Sequence, residues 1–344
     1  MQSKLRQQIP HLILPLLVLG AAFPAHAKED LSNWKLPAVP VPRDNPQSTA
    51  KVALGKQLIF DIRLSKNNSM SCVSCHLPAT GAAGPTPRAF GHGGELGRWV
   101  PSWNNSGYYT SLFWDGRAAS LEEQTGALPG HMGPITAPGE MGGTMDEVVA
   151  KLNALPPYKK QFNSVFGSDA TPETVAKAIA AFERTLVARN APFQRYVSGD
   201  SKAISASAKR GFELFRTKAR CTTCHVPPIL TDNLFHNIGT PQAGPLKEDL
   251  GRYDVTRVEA DKGRFKTPGL YNSASLAFFM HDGAFSKMSQ VIEHYNIGGN
   301  PQDKNQDPLI LPLKLNDKEK ADLAAFMETL TDKTLNQIAE PNLP

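Results

Sequence analysis

Two short strings hold the residues of this 344-residue chain best suited to chemistry: Cys72-Val-Ser-Cys75-His76 and Cys221-Thr-Thr-Cys224-His225. They use all four cysteines, leaving none for a structural disulfide. A lone Cys-x-x-Cys suits zinc or a thiol redox pair, but two copies that each end in His have the spacing of c-type haem attachment. The two thiols add across the two vinyl groups of one porphyrin, and the adjacent imidazole reaches the iron from below. Two covalently bound haem c groups are therefore expected, with His76 and His225 as proximal ligands. A strong protein ligand at the sixth position of an iron makes an electron carrier, whereas a displaceable one permits chemistry. Outside the leader and the two strings, the residues able to fill that position are His92, His131, His236, His281 and His294, with Met132, Met141, Met280 and Met288 among the methionines.

The elements that must position these groups can be read outward from them. Lys4 and Arg6 precede an apolar run from His11 to Gly20, and Ala25-His26-Ala27 follows, which predicts a cleaved signal peptide over residues 1–27 and no membrane attachment after cleavage. Residues 28–47, with Pro37, Pro40, Pro42 and Pro46, read as an extended lead-in, so folded structure should begin near Thr49. Hydrophobic residues make up 40% and charged residues 20%, as in compact globular chains. Lys and Arg number 37 against 32 acidic residues; without Lys4 and Arg6 the balance is 35 to 32, and no basic run remains to bind nucleic acid.

Helical signals dominate the body, and the expected class is all-α with long Gly- and Pro-rich loops. Ser120 with Glu123, Thr144 with Glu147, and Asn316 with Glu319 read as capping pairs, and Thr171-Pro172 opens another helix. Within 172–188, Val175, Ile179, Phe182 and Leu186 form an apolar stripe, expected to pack centrally between two halves. Each haem string follows a short helical segment, Gly55 to Phe60 or Gly211 to Phe215. After the strings, Pro101, Asn105, Asp115 and Gly116 recur as Pro268, Asn272, Asp282 and Gly283, a constant step of 167 residues (268 less 101). Such a register predicts two cytochrome c-like haem domains in tandem, 48–198 and 199–344, with the boundary near Ser198-Gly199-Asp200.

Several longer strings carry a family resemblance. Phe113-Trp114-Asp115-Gly116-Arg117-Ala-Ala-Ser-Leu-Glu-Glu-Gln124, Gly139-Glu140-Met141-Gly142, Gly91-His92-Gly93, Ala191-Pro192-Phe193 and Phe279-Met280-His281-Asp282-Gly283 resemble the bacterial dihaem cytochrome c peroxidases over nearly all of the mature chain. The resemblance implies a periplasmic enzyme that reacts with hydrogen peroxide at the N-terminal haem, on His76. The C-terminal haem, on His225, would be the electron-transfer site, fed by a small cytochrome c or cupredoxin. It assigns Glu140 and Gln124 to the peroxide site, where a carboxylate takes the proton from one oxygen and returns it to the leaving one. It makes His92 a distal histidine that leaves on activation, although the local spacing departs by one residue from the family pattern. Trp114 matches the tryptophan between the haems. A calcium ion between the haems and a homodimer also fall within what the resemblance implies.

One departure bears on function. Where the peroxidases carry a methionine opposite the second haem, this chain places Tyr295, within a helix from Ser289 that ends at Gly298. A phenolate in place of a thioether stabilises ferric iron and lowers the potential. That resembles the MauG-type branch, whose enzymes store oxidising equivalents across both haems and oxidise residues of a partner protein. His294 is the rival ligand, but adjacent helical residues point about 100° apart, so only one can ligate. Trp99 stands where the calcium-binding asparagine is expected, and the insertion Pro129-Gly130-His131-Met132 lies close to the peroxide-site residues in sequence. A dihaem electron carrier without peroxide chemistry is the third reading, against which Glu140 and Gln124 argue.

Overall fold

Two glycines, Gly55 and Gly211, each let two helices meet backbone to backbone. The computed structural model describes residues 30–344, so the leader expected over 1–27 lies outside the described residues. The chain is mostly helical: α1 (Thr49–Phe60), α2 (Cys72–Cys75), α3 (Leu121–Gln124), α4 (Met145–Asn153), α5 (Pro156–Phe166) and α6 (Pro172–Glu183) are followed by α7 (Pro192–Val197), α8 (Ala206–Arg216), α9 (Tyr253–Thr256), α10 (Met288–Ile297) and α11 (Asp317–Glu328). Among the described residues, named strands are limited to two antiparallel pairs, β1 (Phe90–Gly91) with β2 (Gly94–Glu95), and β3 (Phe235–His236) with β4 (Phe265–Lys266).

Helix α1 crosses α6, and α8 crosses α11. A Cβ on Gly55 would lie 1.9 Å from the Ala178 carbonyl oxygen, and one on Gly211 would lie 1.9 Å from that of Asp322. Glycine inside a helix costs about 1 kcal/mol relative to alanine, a cost accepted here because only a missing side chain lets the backbones meet. The next contact on each partner helix is Phe182 or Phe326, and the steps from 178 to 322 and from 182 to 326 are both 144 residues. The same crossing is thus built twice. Helix α6 buries Val175, Ile179 and Phe182 as its stripe requires, but it packs on α1, α3 and α4 of the first repeat rather than between the halves. The Gly55 crossing draws it there.

The 167-residue register survives in backbone detail. Asn105 and Asn272 adopt φ of 62° and 63°, Phe113 and Met280 66° and 68°, and Gly116 and Gly283 70° and 68°. Isolated bridges close the same loop in each copy, Leu112 with Ala118 and Phe279 with Phe285. The two copies also grip one another reciprocally. The Trp99 N–H donates to the His281 carbonyl at 2.8 Å, and the Lys266 N–H donates to the Trp114 carbonyl at 2.8 Å. Since 99 and 266, like 114 and 281, are 167 apart, this exchange is what a local two-fold axis produces.

The caps expected at Ser120, Thr144, Thr171 and Asn316 all receive the N–H three residues on. Folded structure begins earlier than Thr49. Trp34 is buried edge-on against Phe193 and Phe212, and the Leu36 N–H donates to Gln194 Oε1 at 2.9 Å, so the proline-rich lead-in is extended but anchored. Phe193 and Phe212 in turn meet Phe326, giving one continuous core within residues 31–344.

Candidate haem and peroxide site

Each Cys-x-x-Cys-His string begins at the start of a short helical turn; Cys221, Cys224, His225 and His76 line a cavity of about 750 Å³, and Cys72 and Cys75 line a smaller pocket that shares His76 with it. His76 Nδ1 donates to the Ala82 carbonyl at 3.3 Å, and His225 Nδ1 donates to the Leu230 carbonyl at 2.9 Å. Committing Nδ1 in this way leaves Nε2 with its lone pair, the arrangement a metal-bound imidazole needs. Burial pushes His76 down to about 4 and lowers His225 too, so both rings are neutral. Trp103 stacks on His76 at 4.8 Å. The four cysteines form no disulfide, and burial raises Cys72 and Cys221 to about 12. A thiol redox pair needs the opposite shift.

Buried polar atoms supply a test of whether a haem fits. Trp103 Nε1, Ser106 Oγ and Ser273 Oγ are buried without a hydrogen-bond partner, and all three residues line this cavity. Ser106 and Ser273 are equivalent in the 167-residue register. Native proteins rarely leave such groups unpaired, so their repetition marks the same missing polar partner in both copies. Two porphyrins, each with two carboxylates, meet that requirement.

The surroundings of the two histidines differ. On the His76 side a side pocket is lined by Cys72, Cys75, Gln124, Glu140 and Glu183. The Glu140 side chain is 28% exposed, with Arg117 4.0 Å away. Desolvation raises its pKa above the ordinary carboxylate value against the pull of Arg117, the direction that favours a carboxyl able to take up and return a proton. Its segment is held by the β1–β2 hairpin, where a Cβ on Gly91 would strike the Gly139 carbonyl and the His92 N–H donates to the Glu140 carbonyl. His92 is therefore brought beside Glu140, but its ring is exposed, rests against Gly142 and does not line the cavity. His131 also points outward, 3.7 Å from Glu123.

Glu183 was not singled out by the sequence reading. It lies four residues after Ile179 on the apolar stripe of α6, and an acid on such a face is the signal that would have found it. It is buried, and desolvation raises its pKa to about 8, with Arg184 opposing. Its counterpart at the α8–α11 crossing, 144 residues on, is Met327, which also lines the main cavity.

On the His225 side, Tyr295 lines the cavity and burial raises its pKa. His294 turns away: its Nε2 donates to the Ile238 carbonyl at 2.8 Å. Near Cys224, the His236 ring is clamped between Asp307 at 2.6 Å and Asp232 at 3.0 Å. Contact with the Cys224 sulfur, followed by these two carboxylates, raises it to about 10.

Trp99, Trp114, Phe265, Lys266 and His281 line the same cavity as the two histidines, where the two repeats meet through the Trp99 and Lys266 backbone bonds. The Trp114 Nε1–H donates to the Trp99 carbonyl at 2.9 Å, and its ring meets His281 edge-on at 6.5 Å. His281 stacks on Phe265 at 3.5 Å. Arg98 forks onto Asp249 and reaches Asp115 at 2.6 Å. Trp99 donates its own Nε1–H to Gly84, and its side chain, unlike that of the asparagine expected there, carries no oxygen for a calcium ion.

Comparison with known proteins agrees with this geometry. The profile of the family described as Di-haem cytochrome c peroxidase matches residues 49–202. Cytochrome-c peroxidase IdrP1 of Pseudomonas sp. (strain SCT) is 37% identical over 100% of this chain and 97% of its own. The chain belongs to the di-haem cytochrome c peroxidase family. Within that family it is also 41% identical to methylamine utilization protein MauG of Methylorubrum extorquens, over 89% of this chain and 85% of that one. A solved MauG-like protein associated with microbial copper homeostasis superposes with a TM-score of 0.79 at 32% identity, covering 88% of this chain and 97% of that one. Family membership brings haem c as the cofactor type. Among the described residues no helix of this family member is long and apolar enough to cross a membrane.

Proposed function

We propose that this chain is a periplasmic dihaem peroxidase, with one haem c domain over 48–198 and a second over 199–344. The observation that carries this reading is the unequal lining of a twice-built site: Glu140 and Gln124 share the His76 side, and Tyr295 faces the His225 side. When bound, the haems supply a site for hydrogen peroxide and a store of electrons. Glu140 takes the proton from the nearer peroxide oxygen and delivers it to the departing one. Gln124, whose amide lines the same pocket, orients the peroxide by hydrogen bonding. With two electrons and two protons, one peroxide leaves as two waters. Trp114 bridges the gap between the two sides through His281 and the Trp99 carbonyl. Exposed Leu309 and Leu311 rim the cavity by the second haem, a suitable entry for electrons from a small cytochrome c or cupredoxin.

A second reading, a MauG-like oxidation of residues on a partner protein, is favoured by Tyr295 in the place of a methionine while His294 is spent on Ile238. Both readings require two haems and peroxide reactivity. They part when peroxide is added to the oxidised holoprotein with and without reduced cytochrome c. Rapid oxidation of the cytochrome supports the peroxidase reading. A long-lived change in both haem spectra with slow cytochrome oxidation supports the MauG-like one. Absence of haem, or no response to peroxide, overturns both. Calcium between the haems is tested in the same samples: with no side-chain oxygen at Trp99, chelation should leave the spectra unchanged, and a spectral change would show that calcium is held by other groups.

A further inference from the structure

Lys266 is a buried cation of the cavity wall with no anion beside it among the described residues. Its side chain is buried in a residue only 6% exposed, on β4, where the backbone N–H is pinned to the Trp114 carbonyl. Nζ donates to the Thr267 carbonyl at 3.1 Å and sits 3.9 Å from the centre of the Tyr109 ring. No carboxylate among the described residues comes within ion-pair distance of it. The other buried cation there, Arg98, is fully engaged by Asp249 and Asp115. A buried ammonium without a counter-ion is strongly disfavoured, and desolvation accordingly lowers Lys266 to about 7 against the pull of Asp232. Yet Lys266 lines the cavity in which the haems are read to sit.

We propose that Lys266 forms an ion pair with a propionate of the haem carried by His225. The inference rests on the haem reading above and goes beyond it by assigning the propionate a partner in the chain. The second haem is the one concerned because Pro268, two residues on, places its carbonyl at the His225 ring. The pairing satisfies both charges at once: the ammonium gains an anion, and the carboxylate avoids a bare burial. In the first repeat the equivalent position is Trp99, which carries no charge. The device is therefore one-sided, and it raises the potential of the electron-transfer haem relative to an unpaired propionate.

The test uses the holoprotein, with haem content fixed first by the pyridine haemochrome. Redox titration of Lys266→Met should raise the ferric-to-ferrous ratio of the second haem at a fixed potential by about tenfold, the effect of one unit charge roughly 10 Å away at an effective dielectric of about 20. The first haem should move less, and Lys266→Arg should restore the ratio. A second measurement follows the potential of the second haem from about pH 6 to about pH 9 in the wild type and in Lys266→Met. A paired Lys266 adds no step of its own, whereas an unpaired amine titrates within that window and its step is lost in the variant. Glu183, raised to about 8, titrates there too, but its step is common to both proteins. Unchanged potentials in Lys266→Met, or a wild-type step near pH 7 that the variant lacks, overturn the pairing. Absence of haem in the wild type overturns the underlying reading instead.

Discussion

The two repeats share a scaffold and differ in what they expose to their cavities. Gly55 and Gly211 make the same crossing, and His76 and His225 commit Nδ1 in the same way. Around the first histidine the chain places Gln124 and Glu183; at the equivalent positions around the second stand Val291 and Met327. At these two positions the first side is polar and the second apolar. The difference teaches that the scaffold decides where a haem sits, while a few side chains on it decide what that haem can do.

The largest effect should come from removing the acid of the first side. Glu140→Gln should lower peroxide turnover by about 10²–10⁴-fold with both haems retained, and a loss under tenfold would remove Glu140 from proton transfer. Next comes Glu183, whose pKa is raised in the folded state to about 8. Its protonated form is shared by folded and unfolded chains at low pH, so stability is greatest below its ordinary range and declines as pH rises towards about 8. Denaturant unfolding of the holoprotein should show this decline as a few kcal/mol, and Glu183→Met, which installs the residue of the second repeat, should flatten it. Third, Gly55→Ala and Gly211→Ala should each destabilise the protein by about 1–3 kcal/mol through overpacking. Unequal costs would break the equivalence of the two crossings. The smallest effect is expected at His92, where an exposed ring makes the resting spectrum of His92→Ala match the wild type. Tyr295→Phe, in contrast, should change the spectrum of the second haem. A large change in His92→Ala would place that histidine at the first iron.

Much of this was legible in the sequence because it rests on local spacing. The haem strings, the capping pairs and the 167-residue register need only a few neighbouring positions, and the stripe of α6 follows from helical period. What that stripe packs against was not legible, since the answer lies in the absence of a side chain at Gly55, more than a hundred residues away. Its prolines mark residues 28–47 as an extended lead-in, yet Trp34 and Leu36 find partners on α7 and α8 that no local pattern announces. Tyr295 and His294 could be ranked only once the Ile238 carbonyl was seen to occupy His294. Lys266 is an ordinary lysine in the sequence, and its isolation emerges only when every nearby carboxylate has been assigned to another partner.

The reciprocal bonds between the repeats run from backbone to backbone, Trp99 to His281 and Lys266 to Trp114. Docking of this kind is blind to side-chain identity. Once a duplicated module had paired with its own copy in this manner, each copy could mutate its two contact residues without loosening the join. Tryptophan could drift to lysine and histidine to tryptophan while the halves stayed in register. The symmetric joint is thus what left the chemistry free to become asymmetric.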